Sequence, residues 1–585
     1  MAIFKFRFDM KSITNEIFAR SKGMIFFFFL TCILVCLNAI CNAQEADLNF
    51  ASPIRIDPRL SANFGELRKN HFHSGLDYRT EGRIGLPVYA VEDGVISRIF
   101  VSSYGFGKAL YIDHPNGYTS VYAHLDKFIP EIEAFVKTTQ YVNESYSLNE
   151  FPNKEVFSIK KGDLIGFSGN SGSSGGPHLH FEIRETKSEK IVNPLGIQFI
   201  PIADSIPPKI KSVIIYQIDT IKQVFVPSIF KSINPNSIDV NDIILVPKYF
   251  FIGVETADYM PNSMNEYLPK CISAAVDNIT YFNFIMEKFA FSETRYINST
   301  IDYSLFTSQN REVIRAYKDP NNKLSLLSNM NTNGIITIND SLPHSLTLEV
   351  SDCNGNAHHI EFRYKHGAAN LKTPPLLNQK KALYINKSNT YKTQNSIIKI
   401  NSDALYQSLL IDYEEKDFIM HSPLIKVGSN QQALQKEFEI SIKSKLPEEM
   451  AEKAFIARGT PNDFSSIGGH YKNGVITSTS SSFGYFYVDI DTIAPTTKPN
   501  FDLNKKFSKI PETLNFTITD DKTGVNAYDA YIDGKWTIAE YDFKQSLIKV
   551  SVDDTRISKH QEHFLELYTS DEVGNTNYFS CTFYY

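Results

Sequence analysis

The sequence predicts a mostly β, multidomain protein. A small antiparallel β-fold comes first, and two or three β-sandwich domains of immunoglobulin-like type follow it. Three observations carry this reading. The chain has 585 residues, more than one hydrophobic core organises. Apolar residues alternate over short runs that are parted by Gly-, Asn- and Pro-bearing turns. The composition holds 31 Tyr and 43 Phe against a single Trp, and is rich in Ile as well, a mix that favours strands.

The bulk numbers exclude some classes. With 42% hydrophobic and 21% charged residues the chain is ordinary globular material, neither disordered nor a multi-span membrane protein. A net charge of −6 provides no basic footprint for nucleic acid. Residues 1–43 read as a secretory signal. Lys5, Arg7, Lys11, Arg20 and Lys22 precede an apolar run from Met24 to Ile40, and a small residue, Ala43, marks the expected cut. The expected location is therefore outside the cytoplasm, in a periplasm or cell envelope, with membrane anchoring if the segment is retained. Cys271, Cys353 and Cys581 remain in the mature chain. That number allows one internal disulfide at most, Cys271–Cys353 being the candidate, and the spacing fits no zinc site.

Histidines divide the chain. Six of the 14 fall between residues 71 and 180, so chemistry is expected in the first domain, residues 51–200. Its runs "LPVYAVEDGVISRIFV", "GKALYIDHPNGYTSVYAHL", "FSIKKGDLIGFSG" and "HLHFEIRE" read as strands, and "HPNG" as a hairpin turn that accounts for His114. Residues 126–156 interrupt them. There Ile129, Ile132, Phe135 and Val136 have helical spacing, which predicts a helical insertion on the rim, able to lid a groove. Further on, "DSIPPKI" and "DTIAPTT" share a form, as do "SDCNGN" and "SDEVGN", each of the latter followed by an aromatic-rich strand. This matched opening and closing predicts a repeated domain type: a β-sandwich with an insertion over 204–366 and an immunoglobulin-like sandwich over 491–585. Between them, 371–490 reads as a further β-rich domain.

Three stretches of the first domain carry the chemistry. In "HFHSGLD", His73 and Asp77 are four apart, and Gly75 between them disfavours a helix. "VYAHL" contributes His124. In "HLH", His178 and His180 share one face of a strand, because strand side chains alternate. A catalytic zinc site takes three N or O ligands and keeps a fourth position open. His73, Asp77 and one histidine of "HLH" supply such a set. The other histidine of "HLH", with His124, is left for proton transfer and for holding an oxyanion. By spacing alone His71 is also eligible as a ligand.

The order HxxxD, YAHL, SGNSGSSGGPHLHFE resembles the lysostaphin/LytM-type zinc metallopeptidases. The flanking "GLPVYAVEDGVI", "YGFGKALYIDHPNGY" and "IKKGDLIGFSG" strengthen the resemblance, which covers residues 55–195. It implies a grooved antiparallel β-fold and one Zn2+ ion. It also implies endopeptidase action on peptidoglycan stem or cross-bridge peptides. His73, Asp77 and His180 are then the zinc ligands, and His124 and His178 the catalytic histidines. His71 becomes a rim residue, and Tyr104, Tyr122, Asn170 and Ser171 line the groove. The C-terminal β domains are expected to engage an envelope protein partner. The alternative reading is a non-catalytic LytM-type regulator that binds and activates a cell-wall amidase.

Overall fold

The computed structural model describes residues 50–585, apart from 198–201, 203, 238–241, 368–374, 504–505, 510 and 554. The leader expected over 1–43 lies outside the described residues. No helix among them is long and apolar enough to cross a membrane.

The first domain is built on one antiparallel sheet. Its strands are β1 (Leu60–Ala62), β2 (Leu76–Arg79), β3 (Gly94–Val101), β4 (Lys108–Asp113), β5 (Tyr118–Phe128), β6 (Leu164–Ser168), β7 (His178–Glu185) and β8 (Ile191–Val192). The spatial order is β1-β2-β7-β5-β4-β3; β6 pairs with β5 at one end and β8 with β7. Antiparallel neighbours joined by tight turns explain the alternation seen in the sequence. The face opposite the histidines buries Tyr78, Tyr122 and Phe181, which stack edge to face across β2, β5 and β7. The insertion forms helix α1 (Pro130–Asn143). Pro130 opens it, Glu131 and Glu133 stand in its first turn, and Ile132, Val136 and Gln140 are buried. Where a lid was expected, the described ring contact and ion pair of the helix reach the C-terminal domain and none of the clustered histidines, with Tyr141 edge-on to Trp536 at 5.8 Å and Lys137 paired to Asp553 at 2.9 Å.

The sheet does not stop at the domain boundary. β8 pairs with β9 (Lys288–Phe289), which belongs to the following region. Phe289 is fully buried there, its ring 5.1 Å from Phe64 and 5.5 Å from Phe72. Residues 209–366 form two further sheets, with the short helices Phe291–Tyr296, Ile297–Thr300 and Tyr303–Gln309 inserted between strands. From 381 to 490 two five-stranded sheets enclose one core that includes Ile398, Phe438, Ile440 and Phe486. Residues 496–584 form two four-stranded sheets around Phe516, Ile548, Leu565 and Leu567.

The repeated motifs act as clasps. The Asn356 side-chain amide donates to the Asp204 carbonyl and to Asp352. The Asn575 amide makes the same two bonds, to the Asp491 carbonyl and to Asp571. In each copy the closing loop thereby ties down the segment that leads into the first strand. Cys271, Cys353 and Cys581 are free thiols, so no disulfide adds to these clasps.

The shared sheet and the phenylalanine cluster couple the first domain to the second. Phe289→Ala removes the central ring of that cluster. Its expected cost is about 3–5 kcal/mol, measured as a loss of stability in denaturant unfolding.

Candidate active site

Register places the first two groups. β7 lies antiparallel to β2 with His180 directly opposite Asp77 and His178 opposite Arg79. Cross-strand partners share a face, so Asp77, His178 and His180 converge. His73 precedes β2 on a bend at Gly75. A Cβ at Gly75 would lie 2.2 Å from the Phe181 carbonyl oxygen, so only glycine lets this segment approach β7 closely enough. His73 Nε2 then lies 3.0 Å from Asp77 Oδ1 and 3.0 Å from His180 Nδ1, and His180 Nδ1 lies 2.8 Å from Asp77 Oδ1. All three residues are buried.

The outer hydrogen bonds decide which atoms face inward. His73 Nδ1 donates to the Asn63 carbonyl at 2.7 Å. His180 Nε2 donates to Glu182 Oε1 at 3.0 Å. Each neutral ring is thereby left with a lone pair on its inner nitrogen. Arg68 holds the other oxygen of Asp77 at 3.1 Å. Three acceptors thus meet at one buried point with donor spacings close to the roughly 3.3 Å edge of a zinc tetrahedron. That arrangement calls for a cation, and the donor set fits a metal ion.

The electrostatics show the same demand for positive charge, which a proton on His180 meets when no metal does. Burial works to raise the Asp77 carboxyl, yet His73 and the hydrogen bonds of the three histidines hold it well below the usual range. Burial works against charge on His180, yet Asp77 and Glu182 raise it to about 9. Burial would also raise Glu182, but Arg184 and His180 hold it down at about 2. Arg184 bonds it from the same strand face.

His124 arrives by a different route. In a regular strand Tyr122 and His124 would share a face. Here β5 bulges: its register with β4 shifts between Lys108/Leu125 and Leu110/Tyr122, and His124 sits in the left-handed region at φ 59°. That conformation costs a non-glycine residue about 1–3 kcal/mol. It turns His124 to the His180 side, with ring centroids 4.8 Å from His178 and 5.8 Å from His180. The same bulge corrects the expectation for Tyr122. Its ring lies on the opposite face, fully buried, and its hydroxyl accepts from the Val91 amide. Tyr122 does not line the groove.

One loop orients both remaining imidazoles. His124 Nδ1 donates to the Ser171 carbonyl at 2.9 Å, and His178 Nδ1 donates to the Gly176 carbonyl at 2.8 Å. Each ring keeps Nε2 free of the loop, and His178 Nε2 lies 3.4 Å from Asp77 Oδ1. Burial first, then His180 and His178, push His124 down to about 3. Tyr104 is exposed at the rim, and Asn170 has a buried Oδ1 with no donor among the described residues. His71 is exposed, its ring on the Lys69 carbonyl and away from the cluster. His114 is a buried brace between Asp93 and Ser120.

Comparisons with known proteins find a family over the stretch that holds this site. Residues 71–154 and 146–194 match peptidase family M23. The chain carries a peptidase family M23 domain. An "Uncharacterized metalloprotease" of Haemophilus influenzae is 30% identical over 152 residues, covering 25% of this chain and 26% of that protein. The "DD-carboxypeptidase/endopeptidase Mpg" of Neisseria meningitidis serogroup B is 32% identical over 144 residues, 24% of this chain and 27% of its own. The "Peptidoglycan DD-endopeptidase ShyA" of Vibrio cholerae is 32% identical over 163 residues, 27% of this chain and 31% of its own. The chain spans only about a quarter to a third of the length of these relatives. Residues 380–491 match a Zu5-like domain, over the β-rich stretch described above.

Sequence reasoning missed several supporting groups of the M23 domain. Glu182 and Arg184 were within reach, since "HLHFEIR" puts His178, His180, Glu182 and Arg184 on one strand face. Asn63, Arg68 and Phe106 left no local signal. Phe106 stacks on His180 at 5.3 Å, and the Asn63 side chain is itself held by the Leu268 backbone of the second domain.

Glu182→Gln weakens the acceptor that orients His180. Metal affinity is expected to fall about 10- to 100-fold, measured by competition with a chromophoric chelator. An unchanged affinity would show that His180 needs no such partner.

Proposed function

We propose that this chain is an exported, zinc-dependent endopeptidase that hydrolyses peptide bonds in peptidoglycan stem peptides or cross-links. The observation that carries it is the pairing of one three-donor metal site with two further imidazoles anchored beside it. His73, Asp77 and His180 would hold a single zinc ion, and His124 and His178 would act as catalytic residues. Zinc supplies Lewis acidity, polarising a carbonyl and making water acidic near neutral pH.

The protein's own groups supply the rest. A ring whose Nδ1–H rests on a carbonyl offers Nε2 as an acceptor while neutral, and as a donor once it has taken a proton. His124 and His178 are both fixed this way. The neutral one takes the proton of the attacking water and returns it to the leaving amine; its neighbour, already protonated on Nε2 as the step begins, donates a hydrogen bond to the developing oxyanion and keeps that proton. The bulge at His124 fits this role, since strain is retained where geometry matters. Ser171 meets His124 through its carbonyl, and Tyr104, Asn170 and Ser171 would contact the peptide. The relative named as a peptidoglycan DD-endopeptidase supports the substrate class and an envelope location. A regulator that only docks an amidase needs neither converging lone pairs nor anchored imidazoles, and both are present.

The test uses the chain from Gln44 onward with purified peptidoglycan, and reads released fragments by mass spectrometry. Fragments are expected, and are expected to vanish with EDTA and in His180→Ala. His124→Ala and His178→Ala are each expected to lower kcat by about 10²- to 10⁴-fold while retaining zinc. A folded, zinc-loaded wild type that releases nothing would sink this reading.

A further inference from the structure

The two loops that hold the imidazoles are themselves held by the last domain. Residues 102–107 carry Phe106, whose ring stacks on His180 and whose carbonyl accepts the His124 amide. Residues 169–177 carry the Ser171 and Gly176 carbonyls that fix His124 and His178. The loops interlock. Gly172 has φ 68°, and a Cβ there would lie 2.3 Å from the Gly107 nitrogen. Ser173 N donates to the Gly105 carbonyl, and Ser171 Oγ accepts from Lys108 N.

A turn of the C-terminal sandwich grips both. Phe543 stacks on Tyr104 at 4.8 Å with 24° between the rings. The Lys544 ammonium donates to the Asn170 carbonyl at 2.6 Å and to the Ser174 carbonyl at 3.2 Å. From the other sheet of the sandwich the Tyr528 hydroxyl meets Ser103 at 3.2 Å. A cleft of about 260 Å³ remains between the domains, walled by Ser103, Asn170 and Pro177 on one side and Glu540, Asp542 and Lys544 on the other. The described hydrogen bonds and ring contacts of the sandwich reach the loops and none of His73, Asp77, His124, His178 and His180. That is the geometry of a holder, not of a plug.

We propose that the C-terminal sandwich is a working part of the peptidase site, with Lys544 a positioning residue that sets the 169–177 loop and through it His124 and His178. The inference rests on the endopeptidase reading above. An ammonium on two carbonyls ties Asn170 to Ser174, the segment that brackets Ser171 and leads into Gly176. Displacing an anchored catalytic group by an ångström costs up to about 100-fold in rate.

The experiment compares the zinc-loaded full chain with Lys544→Met and Lys544→Arg. Lys544 is exposed, so neither change disturbs a core. With peptidoglycan peptides, Lys544→Met is expected to lower kcat by about 10- to 100-fold, leaving KM and zinc content near wild type. Lys544→Arg, which keeps the charge and two donors, is expected to restore most of it. In parallel, amides of 169–177 are expected to exchange hydrogen faster in Lys544→Met and not in Lys544→Arg. Unchanged exchange, or faster exchange with unchanged kcat, overturns the proposal. Increased cleavage overturns it in favour of an inhibitory cap. An inactive, zinc-loaded wild type fails the endopeptidase reading instead, and the exchange arm still decides whether the turn holds the loop.

Discussion

Three lone pairs meeting at one buried point are the constraint on which the rest of the M23 domain depends. His73 Nε2, Asp77 Oδ1 and His180 Nδ1 lie within 3.0 Å of one another. In a low-dielectric interior such a convergence is costly unless positive charge fills it. Everything around it secures the acceptors' orientation. The Asn63 carbonyl turns His73, Glu182 turns His180, and Arg68 occupies the outer oxygen of Asp77. A buried carboxylate such as Glu182 needs its own partner, and Arg184 provides it from the same strand.

The second feature is that two further imidazoles, His124 and His178, stand close to these three side chains. Anchoring Nδ1 on backbone carbonyls does this for both His124 and His178. For His124 it also takes a break in strand alternation. The left-handed residue at the bulge is a local loss of stability, retained because the surrounding sheet over-determines it.

The additional β domains are tied into this arrangement rather than strung after it. The second domain supplies a strand to the sheet through Phe289 and holds Asn63, whose carbonyl meets His73. The last domain reaches back across about 370 residues of sequence to the loop that carries the anchoring carbonyls. Helix α1, placed on the rim by its spacing, is the other foot of that contact, through Tyr141 and Trp536. Whatever the sandwiches contact elsewhere, they also shape the front domain.

Local pattern was enough for much of this. Period-two alternation put His178 and His180 on one face, and their register with Asp77 follows from antiparallel pairing of β2 with β7. Helical spacing found α1, and the matched Asp–Gly–Asn loops, read in the sequence as a repeat, make matching bonds from Asn356 to Asp352 and from Asn575 to Asp571. Alternation failed at β5, where it put Tyr122 and His124 together. A bulge depends on how β4 and the 102–107 loop pack against the strand, and "VYAH" holds no record of that. The anchoring carbonyls, the Asn63 and Arg68 contacts and the grip of Lys544 were likewise beyond local reading. Backbone carbonyls are chemically identical at every position, so only the tertiary fold selects which of them meets a histidine.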